Sequence, residues 1–245
     1  MEPLHIYIGY DSREPLAYHV LAHSILRQAS KPVTICPLVQ PTLRQTKLYT
    51  RPVGPNESTE FSMTRFLTPY LAQFGGYALF MDCDMLCRGD VWELVKLAKA
   101  DKAERGVWVV KHDYQPSTST KHLGQSQTQY RRKNWSSLML FKAKLCRLLT
   151  PDYINTATGM ELHQFDWMPD AMIGSLPKAW NWLVGEYPQN PDAKLWHYTL
   201  GGPWFKETQF CDHHKEWFDE YKLMAPSFNL YAPKARHMEE SHASV

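Results

Sequence analysis

The chain has 245 residues, 44% of them hydrophobic and 21% charged, a balance that gives a water-exposed globular protein a substantial core. A net charge of +2 without a long basic run excludes an electrostatic case for nucleic acid. No apolar stretch approaches the length of a membrane span, which excludes an integral membrane segment and leaves peripheral association with a membrane open.

In chain order, Met1-Glu2-Pro3 leads into an apolar run, Leu4 to Gly9, which predicts a first strand rather than a signal peptide. Apolar spacing through Leu16, Val20 and Leu26 predicts a helix over 14–29. Val33 to Val39 is expected as a second strand, and the polar segment 45–59 as a loop. Ser62 is expected to cap a helix ending at Gly75-Gly76. Tyr77 to Met81 predicts a buried strand, 90–100 a helix and 106–111 a further strand. Strand and helix alternate, so the expected fold is α/β: a mainly parallel twisted sheet flanked by helices, Rossmann-like in its N-terminal half and irregular in its C-terminal half. The stretch 115–133, rich in Ser, Thr and Gln, reads as a mobile loop. A strand over 136–141, a helix through Leu149, short helical or turn pieces at 151–159 and 169–176, and a late strand over 194–200 follow. Residues 1–232 are expected to form one domain and 233–245 a disordered tail. Five scattered cysteines, Cys36, Cys83, Cys87, Cys146 and Cys211, form no CxxC pair and suggest reduced thiols in a cytoplasmic protein. Six of the nine tryptophans fall at or after Trp167; such rings suit sugar faces, though core packing is their commoner use.

The strand at Tyr77–Met81 ends in Asp82-Cys83-Asp84. Period-2 geometry places the two carboxylates on one side and Cys83 on the other. Adjacent carboxylates repel unless a cation lies between them, and a divalent metal completed by a diphosphate resolves that. A chance Asp-x-Asp triplet is the plain alternative. Position favours the metal, because open α/β sheets bind ligands beyond the carboxyl ends of their strands. The second cluster is His197-Tyr198-Thr199-Leu200-Gly201-Gly202-Pro203-Trp204. Glycines let backbone amides approach a phosphate, and the imidazole offers a nitrogen ligand; the alternative is a packed histidine before a turn.

Together these clusters resemble the retaining GT-A-fold glycosyltransferases, the family of glycogenin and the bacterial lipopolysaccharide galactosyl- and glucosyltransferases. The resemblance runs from about Leu4 to Trp204. Asp82-x-Asp84 matches the family's metal motif, and His197 to Trp204 is similar to its His-x-x-Gly-x-x-Lys-Pro-Trp. Weaker matches are Tyr10-Asp11, the helix Thr64-Arg65-Phe66-Leu67-x-Pro69-x-Leu71, the strand Trp135 to Phe141, and Leu176-Pro177-x-x-Trp180-Asn181.

The resemblance implies Mn²⁺, or Mg²⁺, on Asp82, Asp84 and His197. It implies a nucleotide-sugar donor, with UDP as nucleotide, held by Tyr10, Asp11, Arg65, Cys83, Ser136, Gly201 and Gly202. The acceptor is a carbohydrate or glycolipid, and transfer retains the anomeric configuration. Two departures stand out. The family's lysine is Gly202 here, and its Asp-Gln-Asp triplet has no counterpart; Gln164, then His163, are the candidates for the residue beneath the sugar. Arg131-Arg132-Lys133 closes the expected loop and either faces an acidic acceptor or is solvated. Two other functions share the expected fold. A sugar-nucleotide nucleotidyltransferase normally carries a Gly-rich basic loop after the first strand, whereas Gly9-Tyr10-Asp11-Ser12-Arg13 has one glycine. A non-catalytic nucleotide-sugar-binding domain has no physical need for paired carboxylates.

Overall fold

Short apolar runs buried on both faces build the centre of the fold. The computed structural model describes residues 2–52, 54, 57–113 and 132–224. Leu4–Gly9 (β1) and Tyr77–Met81 (β3) lie side by side, parallel, at the middle of a six-stranded sheet. Val33–Leu38 (β2) extends it on one side; Leu138–Lys142 (β6), Val107–Val109 (β5) and Ile173–Ser175 (β7) extend it on the other. Three of the five pairings are parallel, and β6 runs antiparallel to both β3 and β5. The mainly parallel expectation therefore holds, with β6 as the reversed strand. An antiparallel pair needs no crossover helix, unlike a parallel one.

The N-terminal elements follow the expected alternation closely. Pro15–Gln28 (α1) starts with Pro at its first position, where the missing N–H costs nothing, and buries Ala17, Val20, Leu21, Ser24 and Ile25. Gln40–Gln45 (α2) follows β2 directly. The helix expected over 62–74 is a 3₁₀ turn, Thr64–Leu67, followed by a single α-turn, Thr68–Leu71 (α3). It ends early because Gln73 and Phe74 adopt left-handed φ of 53° ahead of Gly76. Trp92–Ala100 (α4) follows as expected.

The C-terminal half is less regular. The helix expected through Leu149 is a 3₁₀ turn at Ala143–Leu145. Pro151–Thr156 (α5) is capped by Thr150, and Gly159–His163 (α6) by a capping box of Thr158 and Glu161. The late strand is only Leu195–His197 (β9). It pairs antiparallel with Met85–Cys87 (β4) and parallel with Trp182–Leu183 (β8) in a second small sheet. His214–Met224 (α7) has no counterpart in the sequence reading. It docks on α1, burying Trp217 and setting Glu220 against His23 Nδ1 (2.6 Å) and Arg27 Nε (3.0 Å). Residues 115–131 of the expected loop and the tail 233–245 lie outside the described residues. Among the described residues, no helix is long and apolar enough to cross a membrane.

Close packing ties β1 to the segment carrying Arg65. A Cβ on Gly9 would lie 2.3–2.7 Å from ring carbons of the buried Phe61, and the Arg65 guanidinium sits 5.3 Å from the centre of that ring. Gly9→Ala is expected to cost about 2 kcal/mol, as overpacking of a filled core does. The check is a lower urea midpoint at unchanged slope.

Candidate active site

The site lies beyond the carboxyl end of β3. Residues 78–81 have no exposed surface, so the strand is fixed where Asp82 leaves it, and the Asp82 amide donates to Ser137 O (2.9 Å). Arg65 holds the Asp82 side chain: its Nη1 lies 2.8 Å from Oδ1. Arg65 is itself buried between Phe61 and Phe80, with Nε donating to Ser62 O (3.1 Å) and Nη1 to Ser136 O (3.0 Å). An arginine desolvated this way, with fixed partners, is a rigid clamp rather than a surface charge.

His197 reaches the same point from more than a hundred residues away. The β4–β9 register sets Met85 opposite His197, and the Tyr198 amide donates to Asp84 O (2.8 Å). Nε2 of His197 then lies 3.2 Å from Asp84 Oδ1 and 3.9 Å from Asp82 Oδ2. One ligand atom from each of Asp82, Asp84 and His197 falls within 4.8 Å of the others.

The histidine's tautomer follows from its neighbours. Ser137 Oγ donates its only proton to Asn134 O (2.7 Å), so it must accept from Asn181 Nδ2 (2.7 Å). Asn181 therefore turns Oδ1 to His197 Nδ1 (2.8 Å), and that nitrogen must carry the proton. In its neutral form the ring presents the Nε2 lone pair to the two carboxylates, the arrangement that a shared cation requires. Two hard oxygens and one imidazole nitrogen, the latter fixed by an outer hydrogen bond, form a donor set suited to a divalent ion such as Mn²⁺ or Mg²⁺.

The structure places the other expected residues as follows. Asp11 has no exposed surface. Burial pushes its carboxyl up, but hydrogen bonds from Arg13 and the Glu60 amide outweigh this and hold it below its usual range. It thus staples the β1–α1 loop to the segment before Phe61. Tyr10, half-buried, packs edge-on to Tyr18 at 5.7 Å. Cys83 is fully buried, and its thiol, raised well above its ordinary range by burial first, faces Glu14. Ser136 Oγ pairs with His163 Nδ1 (2.9 Å), which links His163 through Ser136 and Arg65 to Asp82. Gln164 caps α6, and its carbonyl accepts from Arg132. Arg132 also pairs with Asp170 and stacks on Trp135. Gly201 has φ of 103°, and a Cβ on Gly202 would lie 2.0 Å from the Trp204 ring.

Two groups escaped the sequence reading. Glu14 stands at the N-cap of α1, where Ser, Thr, Asp or Asn is usual, and that mismatch was the one available signal. Burial, then the Asp84 and Asp11 carboxylates, push its carboxyl up to about 8. His112, just past β5, pairs with Tyr187 Oη (2.9 Å) and is pushed down to about 3, chiefly by burial and then by His197 and Lys178.

The arrangement defines a class: the chain has the fold of GT-A glycosyltransferases. It is similar to the bifunctional glycosyltransferase WbbM (TM-score 0.59, 15% identity, 91% of this chain and 50% of that one). It is also similar to GlyE of Streptococcus pneumoniae TIGR4 (0.58, 14%, 94% and 64%). A third likeness is the galactosyltransferase LgtC, solved with donor and acceptor sugar analogues (0.56, 9%, 91% and 96%). The chain thus spans half of the WbbM chain and under two thirds of the GlyE chain. No family model matches the chain. The chain belongs to the family of Protein CDI of Arabidopsis thaliana, to which it is 44% identical over 226 residues, 89% of this chain and 86% of that protein.

His112 supplies a pH prediction. The unfolded chain takes up a proton at this residue below about pH 6.5, whereas the folded one resists until about pH 3. Stability from this group is therefore lost as pH falls through that window. His112→Gln is expected to flatten the acid limb of a denaturation-versus-pH curve relative to the wild type; superimposable limbs would contradict it.

Proposed function

We propose that the chain is a glycosyltransferase. It moves a sugar from a nucleotide-diphosphate sugar, with UDP as nucleotide, to a hydroxyl of a carbohydrate or glycolipid acceptor, with retention of anomeric configuration. The observation that carries this reading is the convergence of Asp82, Asp84 and the tautomer-fixed His197 at the carboxyl end of β3, in a chain of this fold. Asp82, Asp84 and His197 would hold Mn²⁺ or Mg²⁺. Such an ion, when bound, supplies Lewis-acid neutralisation of the leaving diphosphate.

The chain's own residues do the rest. Arg65 keeps the Asp82 carboxylate aimed outward, and Asn181, bonded to Nδ1 of His197, keeps Nε2 turned towards it. Tyr10 and the loop stapled by Asp11 border the nucleotide. Gly201 and Gly202 offer backbone to the diphosphate, because the Trp204 ring leaves no room for a side chain at 202. Ser136 and His163 support the sugar side through Arg65, with Gln164 next to His163 in sequence. The bond from the anomeric carbon to the β-phosphate oxygen breaks while the acceptor oxygen bonds the same face. The acceptor's proton passes to the departing phosphate oxygen.

Retention is favoured because an inverting reaction needs a carboxylate base within reach of the acceptor hydroxyl. Glu161 is committed to its capping box and Asp170 to Arg132, while Asp166 is exposed. An α-linked donor is expected to give an α-linked product. Product NMR showing a β linkage, with activity lost in Asp166→Asn, would overturn that stereochemistry.

Asp84→Asn and His197→Ala are each expected to lower transfer at least a hundredfold, the scale on which electrostatic stabilisers act. Both are also expected to abolish the Mn²⁺-dependent rise in melting temperature given by a nucleoside diphosphate. A thermal-shift panel of nucleotide sugars, with Mn²⁺ and with EDTA, identifies the donor. Full transfer in EDTA, or in Asp84→Asn, would refute the metal-dependent reading.

A further inference from the structure

Three separate segments border the site beside its metal-binding groups: the β1–α1 loop, the Asp82-Cys83-Asp84 turn and the Gly201-Gly202-Pro203-Trp204 turn. One residue of the first reaches both of the others with its side chain. Glu14 ends the β1–α1 loop, where its amide donates to Asp11 O (3.1 Å). Its Oε1 faces Cys83 Sγ (3.6 Å) and its Oε2 accepts from Trp204 Nε1 (3.1 Å). It occupies the N-cap of a 14-residue helix yet makes no capping bond. An N-cap residue ordinarily spends its acceptor on the free amides of the first helical turn. Here the carboxyl group turns away from the helix towards the site.

Its partners are themselves fixed. Cys83 is buried between the two aspartates, so moving Glu14 disturbs the turn that aims both carboxylates. Trp204 lies against Gly202, packs edge-on to Tyr198 (5.8 Å) and contacts Trp217 (5.1 Å). Its ring plane therefore sets the shape of the double-glycine turn. The indole N–H to Glu14 is the one hydrogen bond that ties that ring to the β1–α1 loop.

We propose that Glu14 is a positioning residue that locks the nucleotide side, the metal turn and the diphosphate turn into one preorganised donor site. This rests on the sugar-transfer reading above. Glu14 does not touch the reacting atoms; it acts through Trp204 and Cys83. Preorganisation of this kind is expected in donor affinity more than in the chemical step.

The test uses the full chain and UDP with Mn²⁺ as the probe, titrated calorimetrically. Glu14→Leu and Trp204→Phe are each expected to raise the UDP dissociation constant roughly tenfold, the effect of losing a fixed polar tie. The double variant is expected to bind no worse than the weaker single variant, because both changes cut the same link. Glu14→Gln keeps the acceptor for Trp204 and is expected to stay within about threefold of wild type. In transfer assays Glu14→Leu is expected to raise KM and leave kcat within about twofold. A Glu14→Leu protein that melts earlier without ligand but binds UDP like wild type would overturn the role and leave a merely structural contact. Additive losses in the double variant would also overturn it. Wild type that binds no nucleoside diphosphate with Mn²⁺ would sink the sugar-transfer reading itself, and this role with it.

Discussion

Two carboxylates and an imidazole nitrogen, all within 4.8 Å, form the constraint around which this molecule is arranged. Two like charges at that separation repel by about 3.5 kcal/mol at an effective dielectric of about 20. That is a large fraction of the 5–15 kcal/mol by which a typical domain is stable. The fold does not relieve the repulsion by letting the groups drift apart. β3 has no freedom to move, Arg65 neutralises one oxygen of Asp82 from a buried position, and the β4–β9 register drives His197 towards both acids. A site held against its own electrostatics in this way gains most from a bound cation, which is the physical content of preorganisation.

Asn181, Asp11 and Arg65 share one feature: each is buried and has definite partners. Asn181, with no exposed surface, is satisfied by His197 and Ser137 in a sequence of donors that admits a single proton arrangement. Asp11 takes three bonds from Arg13 and one from the Glu60 amide. Such networks are costly when half made and rigid when complete. The region beyond the carboxyl ends of β1 and β3 is therefore stiff, even though short turns rather than long helices supply much of it.

The parts of this design legible in the sequence were those written in contiguous residues. An apolar run ending in two acids marked β3 and its metal motif, and a lone imidazole before Gly-Gly marked the second cluster. What joins them was not legible, because β4 and β9 are three residues each and their register is set by distant pairing rather than by local pattern. Arg65 was readable as a helix arginine matching a family motif, but its partner Asp82 lies 17 residues away and only the packing of Phe61 and Phe80 reveals the clamp. The reversal of β6 was hidden for the same reason: a five-residue apolar strand reads identically in either direction. α7 went unread because its inward face mixes Trp217 with a glutamate, and Glu220 is tolerable there only through His23 and Arg27 on α1.

That helix bears on one of the two places where the chain departs from the motifs it resembles. A lysine at position 202 would put its Cβ 2.0 Å from the Trp204 ring. Trp204 cannot simply swing aside, since it is bonded to Glu14 and packed on Tyr198 and on Trp217 of α7. In this chain the glycine at 202 goes together with a Trp204 ring whose place is set by a helix at the far end of the described chain. Position 202 and α7 are structurally linked: the Trp204 ring, packed on Trp217 of α7, fills the space a side chain at 202 would need. A lysine's charge acts at the end of four rotatable bonds, whereas an indole held at three points presents its backbone neighbours in a single geometry. In the proposed reading, the side of the site that takes the diphosphate is shaped by packing, and its neutralisation falls to an ion on Asp82, Asp84 and His197.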